Sequence, residues 1–332
     1  MPSTPAIEAR HLVKRFGDVT AVDDVSFTVP QGSVLGMLGP NGAGKTTTVR
    51  MMTTLTKPTA GTASVAGHDV LQEPAAVRRS MGLTGQAATV DELLTGRENL
   101  RLIGELYGLP AADVRARGDR LLKRFSLDDA GDRVVKTYSG GMRRRLDLAV
   151  SLIAAPPVLF LDEPTTGLDP RSRVELWEVL RGLVRDGTTL LLTTQYLEEA
   201  DQLADKIVVI DHGRIIAQGT PLQLKDQSGA ASVVLTVSNA ADLAEAERML
   251  RTQVSEVHVD LGARQLTAPA EGLADMTRIA RVFEGTDIEL DDLGLKRPSL
   301  DDVFLALTGH RAELPDGAEG TGDLTPQTEE VS

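Results

Sequence analysis

A buried-strand pattern followed by a glycine-rich turn decides the fold of this chain. The stretch reads Val34-Leu35-Gly36-Met37-Leu38-Gly39-Pro40-Asn41-Gly42-Ala43-Gly44-Lys45-Thr46-Thr47. The apolar run at its start predicts a strand, and the helical spacing of residues from Lys45 to Leu55 predicts a helix. The turn between strand and helix, from Gly39 to Thr46, fits the motif G-x-x-x-x-G-K-S/T in full.

This turn has the residue types that a phosphate site needs. Its glycines let the backbone bend so that successive N–H groups face one anion, and the following helix adds its N-terminal dipole. Lys45 would bring a charge to the β- and γ-phosphates, and the Thr46 hydroxyl would coordinate Mg²⁺. A plain glycine-rich turn is the alternative. The sequence therefore predicts ATP and Mg²⁺ as cofactors. The residues predicted to hold the nucleotide here are Gly39, Pro40, Asn41, Gly42, Ala43, Gly44, Lys45, Thr46 and Thr47.

Further buried-strand patterns surround this turn in the first part of the chain. Val158–Leu161, Leu190–Thr193 and Ile207–Ile210 are short apolar runs separated by helical patterns. Such alternation predicts an α/β domain with a mostly parallel sheet covered on both faces. Ile7–His11 and Val25–Val29 are predicted to be strands of an antiparallel piece.

The rest of the chain divides into three predicted regions. Residues 87–155 are predicted to form an inserted helical lobe. After Thr220-Pro221 the strand and helix patterns follow the order βαββαβ, which is typical of a small ferredoxin-like α+β domain. The predicted bounds are 1–222 for the nucleotide-binding domain and 223–310 for the C-terminal domain. Residues 311–332, rich in acidic residues, glycine and proline, are predicted to be a disordered tail.

Two carboxylates follow the predicted strand Val158–Leu161. A buried strand would deliver Asp162 to the phosphate site to hold Mg²⁺, and Glu163 could polarise the attacking water. Two acidic residues at a strand end are common, so the alternative is that they bind no metal and take no part in catalysis. Their place downstream of a complete phosphate motif favours the metal and base roles.

Composition excludes several classes of protein. The chain has no cysteine, which rules out disulfides and cysteine-ligated zinc. Its net charge of -13 and its aromatic content of 3% argue against a nucleic-acid partner. The longest apolar stretch, Ala149–Leu161, contains two prolines and is too short to span a bilayer.

The segment Tyr138-Ser139-Gly140-Gly141-Met142-Arg143-Arg144-Arg145-Leu146 resembles the signature motif of ABC ATPases. The resemblance implies the ABC fold: a RecA-like core with a phosphate loop, an antiparallel β subdomain and an inserted helical lobe. It also implies nucleotide contacts from Ser139, Gly140 and Gly141. By the same resemblance, Phe16 stacks on adenine, Gln86 contacts Mg²⁺ and Asp169 lies in the D-loop. Three plainer readings stay open, namely that Phe16 is a core residue, Gln86 a loop amide and Asp169 a helix cap.

One position departs from the usual ABC pattern. Gln195 stands after the predicted strand Leu190–Thr193, where ABC ATPases usually carry a histidine. Glutamine can donate a hydrogen bond to phosphate but cannot carry charge. Gln195 is therefore predicted to act in catalysis beside Lys45 and Glu163, and to support slow turnover.

Longer segments narrow the resemblance to the daunorubicin-resistance ATP-binding proteins. These segments are residues 138–147, 193–201, 211–214 and 298–310. The resemblance implies an exporter of amphipathic drugs, a separate multi-helix membrane permease, a homodimer through an ATP sandwich and a place on the cytoplasmic face of the membrane. Three alternatives stay open: a soluble ABC protein, an importer or an exporter of lipid or polysaccharide, and a regulatory subunit that binds ATP without hydrolysing it.

Overall fold

The structure, a computed structural model, describes residues 4–85, 90–227 and 231–308. Gln86 and the predicted acidic tail at 311–332 lie outside these ranges. The described strands form three sheets, of four, six and four strands. The first two sheets belong to the region that carries the phosphate motif, and the third belongs to the C-terminal region.

The first sheet is antiparallel and has the order β2-β1-β4-β5. Its strands are β1 Ile7–Phe16, β2 Val19–Val29, β4 Ala60–Val65 and β5 His68–Asp69. The two predicted strands are confirmed, but β1 and β2 are longer than predicted. Irregularities in the pairing between Ala9 and Leu12, where His11 takes a positive φ, shift the apolar alternation that marks a strand.

The second sheet forms the centre of the nucleotide-binding region and has the order β10-β9-β3-β8-β7-β6. All neighbours are parallel except the edge pair β9 and β10. The strands are β3 Val34–Leu38, β6 Met81–Thr84, β7 Val158–Asp162, β8 Thr189–Thr194, β9 Lys206–Asp211 and β10 Arg214–Gly219.

Both faces of this sheet are covered, as the unbroken apolar runs predict. Along β7, Phe160 packs in one hydrophobic cluster, while Leu159 and Leu161 pack in the cluster on the other face. The covering helices of this region are α1 Lys45–Met52, α2 Pro74–Arg79, α6 Pro170–Arg185, α7 Leu197–Leu203 and α8 Pro221–Gln227.

The described residues of the predicted helical lobe form three α-helices and two short 3-10 helices, Asp128–Ala130 and Val135–Thr137. The α-helices are α3 Gly96–Leu106, α4 Ala111–Arg124 and α5 Gly140–Ser151. Thr95 and Glu98 form a capping box at the start of α3, which satisfies backbone N–H groups of its first turn. Leu100, Leu122 and Leu146 pack in the hydrophobic cluster that also covers one face of the central sheet, so the lobe and the sheet share a core.

The C-terminal region contains a third sheet, antiparallel throughout, with the order β12-β13-β11-β14. Its elements follow the predicted order. They are β11 Ser232–Val237, α9 Leu243–Leu250, β12 His258–Asp260, β13 Gln265–Pro269, α10 Leu273–Phe283 and β14 Leu290–Lys296. β12 is short and begins only at His258. Val254 and Val257 pack against the core of this region without pairing in the sheet.

The last helix, α11 Leu300–Thr308, packs on the nucleotide-binding region. Ser299 and Asp302 cap its start with reciprocal hydrogen bonds. Val303 and Phe304 are buried in one hydrophobic cluster with Leu224 of α8 and with residues of α7 and β9. In the described ranges, no helix is long and apolar enough to cross a bilayer.

Candidate nucleotide site

The predicted phosphate loop joins the carboxyl end of β3 to the start of α1. Gly44 has a φ of 106°, and a Cβ there would lie 2.6 Å from the carbonyl oxygen of Ala21. A Cβ on Gly39 would lie 2.2 Å from the carbonyl oxygen of Ile210. Since real Cβ atoms do not approach oxygen so closely, only glycine fits at either position. Between them, Asn41 and Gly42 are exposed and Ala43 is buried.

Lys45 is the first residue of α1 and its side chain is buried in the loop. Its ammonium donates to the carbonyl oxygens of Gly39 at 2.7 Å and Pro40 at 3.1 Å. The same nitrogen lies 3.7 Å from a carboxylate oxygen of Glu163. The structure therefore brings the predicted phosphate-binding lysine next to the predicted base. The other predicted loop residue on this helix, Thr47, is half-buried.

Asp162 ends β7 and faces the phosphate loop. One of its carboxylate oxygens accepts hydrogen bonds from the hydroxyls of Thr46 at 3.1 Å and Thr193 at 2.5 Å. Thr193 belongs to the neighbouring strand β8 and is paired with Asp162 in the parallel register. A hydroxyl and a carboxylate at hydrogen-bond distance are the hard oxygen ligands that Mg²⁺ takes. The predicted metal ligands Thr46 and Asp162 thus fit this ion.

Glu163 directly follows β7 and turns out of the strand. Its φ of 51° lies in the left-handed region, which costs a residue with a side chain about 1–3 kcal/mol unless its surroundings hold it there. Its N–H donates to both the carbonyl and the hydroxyl oxygen of Thr193, each at 3.1 Å. Thr166 donates to its carboxylate at 3.4 Å. Thr193 was not predicted as a site residue, yet it contacts both acidic residues.

Comparison with known proteins gives the family. A family model described as ABC transporter matches residues 22–166. The chain is 52% identical over 315 residues to the daunorubicin/doxorubicin resistance ATP-binding protein DrrA of Streptomyces peucetius, a match that covers 93% of this chain and 94% of the relative. This chain is an ABC transporter ATP-binding protein.

Two further comparisons extend the match. The chain is 42% identical over 308 residues to the Nod factor export ATP-binding protein I of Ralstonia nicotianae, covering 92% of the chain and 95% of the relative. A solved ATP-binding subunit of an ABC transporter is 30% identical, with a TM-score of 0.62 over 68% of this chain and 93% of that structure. ABC ATP-binding proteins are ATPases that bind ATP, and the prediction of this activity is confirmed.

The adenine-stacking residue predicted for this ABC ATPase lies at the end of β1. Phe16 is 51% exposed, so the alternative that it is a core residue is wrong. The ammonium of Lys14 lies 4.7 Å from the centre of the ring. An exposed aromatic face near a cation is available to a nucleotide base, although the role itself stays a prediction.

The signature segment begins α5 in this ABC protein. The Ser139 hydroxyl caps the helix by accepting from the N–H of Met142 at 3.2 Å, and Ser139 and Gly140 are exposed. Gly141 is half-buried. Since backbone N–H groups at a helix start attract anions, the segment presents a second anion-binding end on the surface.

Asp169, in the segment that resembles the D-loop, is the N-cap of α6. Its two carboxylate oxygens accept from the N–H of Ser172 at 3.0 Å and from the Ser172 hydroxyl at 2.6 Å. These bonds lower the pKa of Asp169. The capping alternative is therefore observed, and the D-loop role stays a prediction beside it.

Gln195 follows β8 at the same edge of the sheet as Asp162 and Glu163. Its side-chain oxygen is buried and has no hydrogen-bond partner among the described residues. A buried acceptor without a partner costs about 1–3 kcal/mol, so this atom favours a bound donor. Gln86 falls outside the described residues, directly after Gly85.

Proposed function

We propose that this chain is the ATP-hydrolysing subunit of an exporter of anthracycline-like drugs and works with a separate multi-helix membrane permease. The observation that carries the proposal is the extent of the match to the daunorubicin/doxorubicin resistance protein. The 52% identity covers 93% of the chain, so it includes the C-terminal region as well as the nucleotide site. A shared nucleotide site alone would support ATP hydrolysis without a class of substrate.

In this proposal the phosphate loop and Phe16 hold ATP. Gly39 and Gly44 allow the loop its close approach to neighbouring backbone carbonyls, and so allow the bent path that a phosphate cradle needs. The N–H groups at the start of α1 bind the phosphate oxygens. Lys45 exchanges its carbonyl contacts for the β- and γ-phosphates. The exposed ring of Phe16 stacks on adenine.

Thr46 and Asp162 would hold Mg²⁺, with Gln86 as a third ligand implied by the family resemblance. Bound there, the ion would neutralise charge on the β- and γ-phosphate oxygens. Asp162 is kept in place for this role by the Thr193 hydroxyl at 2.5 Å.

Glu163 is the proposed base that accepts a proton from the attacking water. Its left-handed backbone aims the carboxylate away from the strand and toward Lys45, 3.7 Å from it. Gln195 would orient the same water, because its buried side-chain oxygen can accept a hydrogen bond from it. These contacts support hydrolysis over the alternative of a regulatory subunit that binds ATP only as a switch.

Two copies would close around ATP. The exposed Ser139 and Gly140, with Gly141, would contact the γ-phosphate held by the other copy, and Asp169 would lie at the junction. Because the nucleotide forms part of this contact, its binding favours the closed pair, and hydrolysis releases it.

The C-terminal region is proposed to be a ferredoxin-like domain that supports the pair. Its sheet order, with β11 and β13 central, is the arrangement that two split βαβ units produce. The chain is proposed to sit peripherally on the cytoplasmic face of the membrane, through the permease, and to bind no nucleic acid.

The test is ATP-dependent uptake of daunorubicin, which is fluorescent, into inverted membrane vesicles. The vesicles contain this chain and a candidate membrane permease from the same organism, with Lys45→Ala as the inactive control. We expect uptake with the unaltered chain only. ATPase activity without uptake would remove the drug assignment. It would leave an importer or an exporter of another class of molecule, such as lipid or polysaccharide. A Nod factor export ATP-binding protein is also 42% identical to this chain.

A further inference from the structure

One arginine of the signature helix joins three segments around the nucleotide site. Arg144 lies on α5, and its Nε donates to the carbonyl of Pro164 at 2.9 Å. Its Nη2 donates to the carbonyls of Asp162 at 3.1 Å and Glu163 at 2.8 Å. Its Nη1 donates to the carbonyl of Gly85 at 2.6 Å. Every nitrogen of the guanidinium therefore binds backbone.

The guanidinium lies in an acidic and mostly buried environment. Its side chain is 14% exposed, and a carboxylate oxygen of Asp147, one turn along α5, lies 3.8 Å away. Burial lowers the pKa of Arg144, and the carboxylates of Asp147, Glu199, Asp162 and Glu163 oppose that shift. Since arginine keeps its proton under nearly all conditions, the group stays charged.

The three consecutive carbonyls that Arg144 binds belong to the turn at Glu163. Asp162 is the last residue of β7, and the positive φ of Glu163 turns the following carbonyls out of the regular ladder of the sheet. Buried carbonyls need donors from elsewhere. A planar fork of five N–H groups can serve several carbonyls at fixed angles, whereas a lysine ammonium has three donors around one point.

We propose that Arg144 is a positioning residue for ATP hydrolysis, which holds the Glu163 turn against the signature helix and against the carbonyl of Gly85. The helix begins at the surface that would face the other copy's nucleotide, and Gly85 directly precedes Gln86. A displacement of α5 or of Gly85 would therefore move Glu163 through its contact with the Arg144 guanidinium. The inference rests on the proposed role of Glu163 as the base.

The experiment compares Arg144→Gln, Arg144→Lys and Arg144→Ala with the unaltered full-length chain. We measure kcat and KM for ATP, and separately the Kd of a fluorescent ATP analogue. Arg181→Gln is the matched control, because Arg181 also donates to a backbone carbonyl, that of Gln202 at 3.0 Å, but lies on α6. Displacement of a catalytic group by about 1 Å costs roughly 100-fold in rate. We expect Arg144→Gln to lower kcat by about that factor and to change Kd by less than about twofold.

Two further results separate positioning from a general structural role. Arg144→Lys keeps the charge but not the fork, so we expect it to recover no more than a small part of kcat. Guanidinium chloride at millimolar concentration should partly restore kcat in Arg144→Ala and leave Arg181→Gln unchanged. If Arg144→Gln does not fold, the lysine variant and the guanidinium rescue decide the question.

Three outcomes would overturn the proposal. They are unchanged kcat in Arg144→Gln, full activity in Arg144→Lys, and a loss of kcat matched by an equal loss of nucleotide affinity. Glu163→Gln separates this inference from the proposed function. Wild-type activity in Glu163→Gln would contradict the base assignment itself. If Glu163→Gln loses activity while Arg144→Gln keeps the wild-type kcat, the base assignment stands and only the positioning role of Arg144 is removed.

Discussion

Thr193 offers a test of how the two acidic residues are held. Its hydroxyl donates to Asp162 at 2.5 Å and also accepts from the N–H of Glu163 at 3.1 Å. Thr193→Val removes both bonds with almost no change of shape. The N–H of Glu163 keeps its second acceptor, the carbonyl of Thr193, so it is not left without a partner. Among the described residues, the Asp162 oxygen then keeps the hydrogen bond from the Thr46 hydroxyl at 3.1 Å.

The magnitude follows from the bond to the charged acceptor. A hydrogen bond to a charged group contributes about 1.5–3 kcal/mol, more than the 0.5–1.5 kcal/mol of a neutral pair. We therefore expect Thr193→Val to lower the free energy of unfolding by about 2 kcal/mol. We also expect kcat for ATP to fall roughly 10- to 100-fold, since each 1.36 kcal/mol of lost transition-state stabilisation is a factor of ten.

Thr53→Val is the matched control. Thr53 is as buried as Thr193, but its hydroxyl donates to the carbonyl of Val49, which already accepts from the Thr53 N–H. We expect it to cost less than about 1 kcal/mol and to leave kcat unchanged. Urea unfolding and steady-state ATP hydrolysis measure the two effects. If the two variants lose the same free energy of unfolding within about 0.5 kcal/mol and have the same kcat, the role of Thr193 in holding the two acidic residues is refuted.

Further substitutions test other parts of the chain. Gly44→Ala should abolish binding of a fluorescent ATP analogue because its Cβ meets a backbone oxygen. Gly187→Ala, also at positive φ but in open space, should lower only stability, by about 1 kcal/mol, and equal affinities in both would contradict this. Burial raises the pKa of Glu199, so the folded chain keeps a proton that the unfolded chain releases, and stability falls as pH rises above 4.5. Glu199→Gln removes the titrating group but can still accept the hydrogen bond from the indole N–H of Trp177. The Tm of this variant should therefore fall less than the Tm of the wild type between pH 5 and pH 8. Equal falls in Tm would disprove the link to Glu199. Gln195→His should match or exceed the wild-type rate in an ATPase assay, and a large drop would contradict the prediction that glutamine supports slow turnover.

Most of the fold could be predicted from the sequence because its signals are local. The apolar runs of β7 and β8 and the motif at Gly39–Thr46 each identify an element without knowledge of the rest of the chain. Strand ends were less predictable. Val254 and Val257 are apolar and β-branched, so they favour a strand, yet they pack against the C-terminal core outside the sheet. Pairing depends on a partner strand, which local pattern does not reveal.

The site was predictable only for residues within its motifs. Lys45, Thr46, Asp162 and Glu163 are identified by spacing, and the structure brings them together. Arg144 gave no such signal, because a run of three arginines on a helix usually reads as a solvated face. Its contacts depend on the turn at Glu163, whose positive φ no residue type at that position predicts.

The return of α11 to the nucleotide-binding region gives the C-terminal region two attachments. The chain leaves the first region through α8 and comes back through α11, and Leu224 of the one helix is buried with Phe304 of the other. A region attached at one point can rotate about its linker. A region attached at both ends can rotate away only if α11 dissociates from the nucleotide-binding region. A detached α11 would also rebind quickly, because the α8 attachment keeps its local concentration high. The C-terminal region should therefore move together with the nucleotide-binding region instead of independently of it.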